Sequence, residues 1–520
     1  MAAQVRDVSP GAVRFQTFRQ VVERHADEQP HAIFLLAPEP EASLTFADLR
    51  RTTRRFGALL RALRVPDQGI VAFMLPNGVA AATVFIGSMA SGRIVSPINL
   101  LAQDAMLEYT LAHAAPDAIF VAPEFFDRLS ALVARIGLKP AIVSTDPDRV
   151  DLPDDETDGV VSLESQRPAM LMYTSGTTGK PKGVLLSHAN MLHAGRTVSA
   201  AHALTPDDRV LSSLPLYHIN GQCIGVVSPL VSGGSIVLPH RFSVSRWWPL
   251  VERYRPTWLN VVPTIIAYLL NAAAPTPAQT EAIRGVRFAR SASAPLPPEQ
   301  HRAFEERFGV PVIEAMGLTE CASVAFCNSL DPKERRIGSP GRPIGVEARV
   351  VAPDGRVRAT GERGEIQLRG DNVMIGYYRA PDATAQALDR DGWLSTGDLG
   401  YRDGDGRYFI TGRLKELIIK GGENIAPREI DEALLAHPSV LEGAAVGVAD
   451  AMYGQEILAC VVLKPGSTCS ETALREHCER LLGRYKTPRY VRFVAELPKG
   501  PSGKVQRLQL ADLAPSAPGA

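Results

Sequence analysis

The chain has 520 residues, of which 45% are hydrophobic and 22% are charged. A chain of this length and composition can bury a large core, and it is predicted to fold into more than one domain. Lysine plus arginine and aspartate plus glutamate number 56 each, so the net charge is zero and no overall field attracts nucleic acid or an anionic membrane. Nucleic acid is therefore excluded as an expected partner.

Cysteine spacing and hydropathy indicate the compartment. The six cysteines include no C-x-x-C pair, which predicts reduced structural thiols. Gly, Pro or charge interrupts every apolar run before the roughly 18 to 20 residues that a bilayer requires. No segment resembles the apolar centre of a signal peptide. The sequence therefore predicts a cytoplasmic protein without an integral membrane segment.

The first part of the chain alternates short β-like runs with longer helical patterns. Predicted strands are 71–75, 118–121, 142–144, 170–173, 210–214, 236–238 and 258–262, and predicted helices include 189–203 and 247–254. This alternation predicts an α/β fold with largely parallel sheets. The acidic segment 151–159 is predicted to be a solvated loop. Trp247 and Trp248, on a helical pattern, are predicted to belong to the core.

From about Gly341 the pattern changes to short strands separated by PDG, DGDG and GRG turns. Strands are predicted at 346–351, 364–369 and 407–411. A last lobe with its own strand and helix signals follows Gly412. The Pro- and Ala-rich tail beyond Leu510 is predicted to be disordered.

The stretch 172–187, MYTSGTTGKPKGVLLS, places hydroxyls, glycines and two lysines between two apolar runs. Consecutive backbone N–H groups of small residues can point into one concavity and hold an anion, and lysines add positive charge. A Walker A loop is excluded because only two residues separate Gly176 from Gly179 and Pro181 follows Lys180. The stretch predicts a phosphate grip, the alternative being a mobile glycine turn.

TSGTTGKPKG resembles the phosphate-loop signature of the adenylate-forming, AMP-binding enzymes, which include acyl-CoA synthetases, peptide-synthetase adenylation domains and beetle luciferases. Further family segments occur in the expected order from about Phe15 to Arg507. The resemblance implies an α/β fold with a large N-terminal domain, residues 1–412, made of two α/β subdomains and a β-rich subdomain. It also implies a small mobile α+β C-terminal domain, residues 413–520.

The resemblance implies that a carboxylate attacks the α-phosphorus of MgATP, that pyrophosphate leaves, and that a thiol then attacks the acyl-adenylate. Positioning and electrostatic stabilisation by backbone donors, Mg²⁺ and cations serve such a transfer. The residues expected to cradle the phosphates are Thr174, Ser175, Gly176, Thr177, Thr178, Gly179 and Lys182.

EAMGLTECA resembles the next family signature. It implies that Glu314, Ala315 and Met316 border adenine and ribose, that Thr319 contacts the α-phosphate, and that Glu320 holds Mg²⁺. A glutamate in the first turn of a helix would also stabilise that helix without any metal. Met316 stands where the family most often has an aromatic residue, and its polarizable thioether can pack on a purine.

Two further segments resemble the borders of the acyl pocket. SASAPL, residues 291–296, is implied to place Ser293, Ala294 and Pro295 at the adenine and Ala292 in the acyl pocket. LPLYHINGQC, residues 214–223, is implied to place its histidine near the substrate carboxylate, although a lone histidine is commonly a packed core residue.

The residues of this second segment that are expected to face the acid are His218, Asn220 and Gln222. Amides are costly to bury against an alkyl chain. We therefore expect a short or medium acid with a polar or compact tail.

The remaining implied roles lie after residue 390. WLSTGD is implied to place Asp398 on the ribose hydroxyls with Arg413 as a second contact; a turn-capping aspartate is the alternative. Lys415 is implied to be the hinge, and Lys504 in PKGPSGKVQR to bridge the acyl carboxylate and the α-phosphate. The residues implied to border the coenzyme A tunnel are Lys420, Gly421 and Gly422.

The sequence favours coenzyme A as the thiol, because no carrier domain is predicted after Arg507. A freestanding enzyme that loads a separate carrier protein stays open, as does a luciferase-like oxygenase. A ligand sensor that has lost turnover is a further alternative, although Lys504, Glu320 and Asp398 are all present. The expected partners are a small carboxylic acid, ATP and coenzyme A, with homo-oligomers possible.

Overall fold

The structure is a computed structural model and describes residues 17–159, 162–174, 181–499 and 505–514. The α-helices are α1 (Phe18–Glu28), α2 (Phe46–Ala62), α3 (Val79–Ala90), α4 (Asp104–Ala114), α5 (Pro123–Arg135), α6 (His188–Ala201), α7 (Ser228–Ser232), α8 (Val244–Tyr254), α9 (Pro263–Leu270), α10 (Pro277–Ile283), α11 (Pro298–Phe308), α12 (Pro381–Ala387), α13 (Pro427–Leu435) and α14 (Glu471–Leu482). A π-helix spans Asn220–Val227, and 3-10 helices span Thr319–Cys321, Leu414–Glu416, Arg484–Lys486 and Arg507–Leu513.

The strands are β1 (Ile33–Ala37), β2 (Ala42–Thr45), β3 (Ile70–Met74), β4 (Ile94–Pro97), β5 (Ala118–Val121), β6 (Ala141–Ser144), β7 (Pro168–Thr174), β8 (Lys182–Ser187), β9 (Arg209–Ser212), β10 (Ser235–Val237), β11 (Trp258–Val261), β12 (Phe288–Ser291), β13 (Val312–Met316), β14 (Phe326–Cys327), β15 (Arg342–Pro343), β16 (Glu347–Val351), β17 (Gly364–Arg369), β18 (Gly376–Tyr377), β19 (Leu394–Arg402), β20 (Tyr408–Arg413), β21 (Ile418–Lys420), β22 (Glu423–Ile425), β23 (Val440–Asp450), β24 (Gly454–Leu463) and β25 (Tyr490–Phe493).

Two large mixed sheets build most of the N-terminal part. One has the order β15-β14-β13-β12-β11-β9-β10-β1-β2, with parallel pairing from β13 through to β1. The other has the order β18-β8-β7-β4-β3-β5-β6, with parallel pairing from β7 through to β6. Parallel strands need crossover connections, and the helices between them supply these. The predicted α/β class is confirmed.

A smaller antiparallel sheet, β16-β17-β19-β20, forms the β-rich part. The last sheet contains β22-β21-β24-β23, with β25 paired to β24, and carries α13 and α14. The chain therefore passes from one sheet to the other between Arg413, the end of β20, and Ile418, the start of β21. The large N-terminal domain of several sheets and the small C-terminal domain agree with the predicted architecture.

Local sequence explains the positions of several helix starts. Thr45 and Asp48 form a capping box at α2, and Ser187 and Asn190 form one at α6. Because Ser187 is also the last residue of β8, the chain turns directly from the strand into the helix.

The apolar run 79–90 forms α3, in which every residue after Val79 is buried. A helix that is apolar on all sides belongs inside a large protein or a bilayer. In the described part of the chain, no helix combines the length and hydropathy that a membrane crossing requires.

Trp247 and Trp248 are 1% and 4% exposed, which confirms the prediction that they belong to the core. In the acidic segment, Asp154 and Asp155 are exposed as predicted, whereas Asp158 is buried and paired with Arg19.

Candidate active site

A cavity of about 600 Å³ is lined by residues of both the N-terminal and the C-terminal part. Thr174 at the end of β7, His218 before the π-helix and Thr319 in the 3-10 helix line it from one side. Lys499 and Gln506 line it from the C-terminal domain. Three residues that the sequence assigned to separate motifs are thus brought to one cavity.

The predicted phosphate grip connects the two strands of a β-hairpin. Thr174 pairs with Lys182 at the end of the antiparallel ladder of β7 and β8, and the Thr174 hydroxyl donates a hydrogen bond to the Lys182 carbonyl at 3.4 Å. The Lys182 ammonium lies 4.6 Å from the centre of the Tyr377 ring. The roles predicted for Ser175, Gly176, Thr177, Thr178 and Gly179 fall outside the described residues.

Thr319 and Glu320 lie together in the short 3-10 helix that follows β13. The Tyr377 hydroxyl donates a hydrogen bond to Glu320 Oε1 at 2.9 Å. Burial raises the pKa of Tyr377, and the negative charge of Glu320 raises it further, so the phenol stays protonated and holds the carboxylate. Gly317 is required just before this turn, because a Cβ there would lie 2.1 Å from the Ser323 carbonyl oxygen.

Glu320 is a single carboxylate, and a single carboxylate is compatible with the predicted magnesium role. Magnesium bound to nucleotides commonly takes one or two protein carboxylates together with phosphate oxygens and water, so a protein cage is not needed. Within the described ranges, no group of three or more His, Cys, Asp and Glu side chains could form such a cage. Glu320, half-buried beside Thr319, is the carboxylate for which the sequence predicts this role.

The predicted adenine segments lie at the ends of the neighbouring strands β12 and β13. Met316 ends β13 and is half-buried, and Ser293 has a positive φ of 72° in the loop after β12. Ala294, Pro295 and Ala315 continue these two segments. The Glu314 carboxylate is instead occupied in the core, where it accepts hydrogen bonds from the Gly338 N–H at 2.8 Å and from His301 at 3.1 Å.

The two oxygens of the buried Asp398 carboxylate have different surroundings. Arg413 Nε donates to Asp398 Oδ1 at 2.7 Å, and this charge pair raises the pKa of Arg413. Asp398 Oδ2 is buried and has no hydrogen-bond partner among the described residues. A buried carboxylate oxygen without a partner is costly, and a pair of ribose hydroxyls would satisfy it.

The acyl segment forms a chain of polar contacts. The Asn220 N–H lies 3.4 Å from His218 Nδ1, and Asn220 Nδ2 donates to the Ser293 hydroxyl at 3.1 Å. Arg290 Nη1 donates to Asn220 Oδ1 at 3.3 Å. Burial lowers the pKa of Arg290 to about 10, so its guanidinium remains charged at neutral pH.

Of the residues predicted to face the acid, His218 lines the 600 Å³ cavity, whereas Asn220, Gln222 and Ala292 do not. Gln222 contacts the backbone instead. Its side chain is fully buried and donates to the Leu216 carbonyl at 2.5 Å, while its Oε1 has no partner among the described residues. Ala292 is also buried, at 4% exposed, next to this network.

The residues with predicted roles in the C-terminal part lie in three separate segments. Lys415 is exposed in the 3-10 helix between the two sheets. Gly421 and Gly422 have positive φ values of 54° and 85° in the turn between β21 and β22. Lys504 lies outside the described residues, and the positions on either side of that segment, Lys499 and Val505, pair in an isolated β-bridge.

Lys420 is part of a buried ion pair rather than an open surface. Its ammonium lies 2.5 Å from Glu456 Oε1 and donates to the Tyr485 carbonyl at 3.0 Å. The Lys420 and Glu456 residues are 7% and 2% exposed.

We expect Glu456→Gln to lower the free energy of unfolding of the C-terminal domain by about 3 kcal/mol, because the Lys420 ammonium would stay buried without a counter-ion. Denaturant unfolding monitored by hydrogen exchange in β21 and β24 measures this loss. Glu479→Gln, an exposed glutamate of α14, is the matched control and should change stability by less than about 0.5 kcal/mol. An equally small change in Glu456→Gln would contradict the expectation.

Sequence reasoning missed Tyr377 and Arg290. Tyr377 reaches Glu320 only because β18 pairs with β8, a contact across nearly two hundred residues of chain. Arg290 carried a local signal, because a charged residue in the otherwise buried strand β12, immediately before SASAPL, is unusual.

The chain is similar to known proteins over nearly its whole length. The AMP-binding enzyme family model matches residues 22–378, and the AMP-binding enzyme C-terminal domain model matches residues 429–504. A sulfoacetate–CoA ligase of Cupriavidus necator is 53% identical over 501 residues, covering 95% of this chain and 97% of its own. An oxalate–CoA ligase of Arabidopsis thaliana is 34% identical, covering 89% and 92%. ATP-bound MatB from Rhodopseudomonas palustris has a TM-score of 0.87 at 30% identity, covering 95% of this chain and 98% of that chain.

Proposed function

Because the chain belongs to the AMP-binding enzyme family and is an AMP-forming acid–thiol ligase, we propose that it converts sulfoacetate, or a closely similar short acid, to its coenzyme A thioester. ATP supplies the activating nucleotide, and the acid becomes an acyl-adenylate before the thiol attacks. The 53% identity to a sulfoacetate–CoA ligase over nearly the whole of both chains supports this substrate.

The observation that carries the proposal is the single cavity that brings Thr174, His218 and Thr319 together with Lys499 and Gln506. His218 orients the acid, Thr319 donates to the α-phosphate, and Glu320 holds Mg²⁺. Asp398 and Arg413 hold the ribose. Such an arrangement lowers the barrier by fixing the acid and the phosphate at close range and by offsetting the negative charge that develops.

The C-terminal domain takes part in both half-reactions under this proposal. The segment that contains Lys504 supplies the cation during adenylation, since the described residues that flank it line the cavity. A rotation at Lys415 then brings the turn at Gly421 and Gly422 to the site for thioester formation. The exposed position of Lys415 between two sheets supports its role as the hinge.

The test is AMP release from a panel of acids with ATP, Mg²⁺ and coenzyme A, with mass detection of the thioester. The panel contains sulfoacetate, oxalate, malonate, acetate, hexanoate and palmitate. We expect the largest kcat/KM with sulfoacetate and a thioester of matching mass. Faster turnover of palmitate than of sulfoacetate would contradict the proposed substrate.

Two other activities are distinguished in the same assay. Acid-dependent exchange of pyrophosphate into ATP, without any coenzyme A thioester, would favour an enzyme that loads a carrier protein. Binding of ATP without exchange for any acid would favour a ligand sensor.

A further inference from the structure

We propose that Arg290, together with Asn220 and Ser293, binds a second anionic group at the far end of the acid and so selects dianionic substrates. The inference rests on the proposed function and identifies the residues that would give it its specificity. Its starting point is a buried cation that has no anionic partner in the described part of the chain.

Arg290 is 2% exposed on β12. Nη1 donates to the neutral Asn220 amide, and Nε has no hydrogen-bond partner among the described residues. No ion pair joins its guanidinium to a carboxylate in the described ranges, and the ionisable group that most favours its charge is the Cys327 thiol. A buried charge without a counter-ion is strongly unfavourable, so the site is incomplete as it stands.

Two other arginines of the described ranges that are largely withdrawn from solvent have more charged or carbonyl neighbours than Arg290. Arg507 pairs with Asp431 at 2.6 Å and with Glu416 at 3.3 Å. Arg93 has an unpartnered Nε, as Arg290 does, but it donates to the carbonyls of Ser91 and Val65, and Asp67 and Asp158 favour its charge. Arg290 differs because its neighbours are an amide and a thiol. Arg507 instead contacts carboxylates, and Arg93 contacts backbone carbonyls.

The position of Arg290 connects it to the acid. Asn220 contacts Arg290 through its side-chain oxygen, Ser293 through its side-chain nitrogen and His218 through its backbone N–H. Only Ile219 separates His218 from Asn220 along the chain. Of these residues only His218 lines the 600 Å³ cavity, and the contacts of Asn220 with His218 and with Arg290 continue inward from it. Under this proposal the tail of an acid held at His218 extends along these contacts toward Arg290.

The chemistry of the three side chains fits an anion with several oxygens. A guanidinium offers planar N–H donors that match carboxylate and sulfonate oxygens. The Asn220 amide and the Ser293 hydroxyl can add hydrogen bonds once Arg290 turns from Asn220 to the ligand. An alkyl tail would instead leave the guanidinium uncompensated, so the subsite disfavours simple fatty acids.

Arg290→Met tests the subsite, because it removes the charge and keeps a long side chain. Sulfoacetate is compared with methylsulfonylacetate, in which a methyl group replaces one sulfonate oxygen and removes the second charge. We expect kcat/KM for sulfoacetate to fall about 100-fold or more, and that for methylsulfonylacetate to change less than about threefold. Arg290→Lys should restore part of the preference for sulfoacetate. Malonate, run alongside, reports whether a carboxylate can replace the sulfonate.

Arg93→Met is the matched control, since it removes a buried guanidinium away from the cavity and should preserve the ratio between the two acids. The ratio is unaffected by a loss of folded protein, and thermal unfolding with ATP checks that Arg290→Met is folded. An unchanged ratio in folded Arg290→Met would overturn the subsite while leaving the ligase function intact. Absence of AMP release by the unmodified enzyme with every acid would instead contradict the proposed function.

Discussion

Lys504→Ala is expected to lower acid-dependent pyrophosphate exchange about 1,000-fold while leaving thioester formation from supplied acyl-adenylate within about threefold. Removing one group that stabilises developing charge in an enclosed site costs about 100- to 1,000-fold. In adenylation the lysine ammonium would offset charge on both the acyl carboxylate and the α-phosphate. In the second half-reaction, under the proposed domain rotation, it would no longer contact the reacting atoms.

The two half-reactions are measured separately, by exchange of labelled pyrophosphate into ATP and by thioester formation from synthetic acyl-adenylate with coenzyme A. Lys486→Ala is the matched control, because that lysine belongs to the same domain and is already paired with Glu429. It should leave both rates within about twofold. Equal losses in both half-reactions of Lys504→Ala would sink the two-conformation mechanism.

Asp398→Asn is expected to lower kcat/KM for ATP about 100-fold, chiefly through KM. The carboxylate accepts from Arg413 through one oxygen and has a buried second oxygen without a partner in the described structure. Hydrogen bonds to charged groups contribute about 1.5–3 kcal/mol each. An amide keeps the shape but removes the charge that Arg413 contacts and that the ribose hydroxyls would share.

Replacing ATP by 2′-deoxy-ATP sharpens this experiment. If Asp398 holds the ribose, the loss caused by Asp398→Asn and the loss caused by the missing hydroxyl should not add, since both remove the same contact. Asp389→Asn is the matched control, because the Asp389 carboxylate caps a turn by accepting from the N–H groups of Asp391 and Trp393. Full additivity, or the same KM for ATP in both variants, would refute the ribose role.

The turn-capping alternative for Asp398 is also weakened by its contacts. The side chain that caps this turn is Thr396, whose hydroxyl accepts a hydrogen bond from the Asp398 N–H at 3.0 Å. Among the described residues, the Asp398 carboxylate accepts only from Arg413. Its position therefore does little for the turn itself.

The sequence predicted the features that depend on short stretches of chain. Alternation of strands and helices identified β3, β5, β7 and β11 within one or two residues of their bounds, because hydrophobic runs and turn residues are local signals. The motifs placed Thr174, His218 and Thr319, and the fold brings these three to one cavity.

What the sequence could not supply depends on contacts between distant segments. The Lys420 ammonium is held by Glu456 on a strand that pairs with its own, and no local pattern announces that partner. Asn220 and Gln222 were predicted alike from one motif, yet Asn220 joins the polar network whereas Gln222 bonds to Leu216. Side-chain direction in the π-helix decides between these outcomes, and sequence spacing does not encode it.

The four residues 414–417 are all that joins the last strand of one sheet to the first strand of the next. A fully extended linker of four residues spans only about 13 Å. A linker this short keeps the C-terminal domain at a high effective concentration beside the N-terminal domain, so the proposed rotation would not depend on protein concentration. It also prevents wide separation of the two domains, so the proposed rotation would be a pivot about this linker.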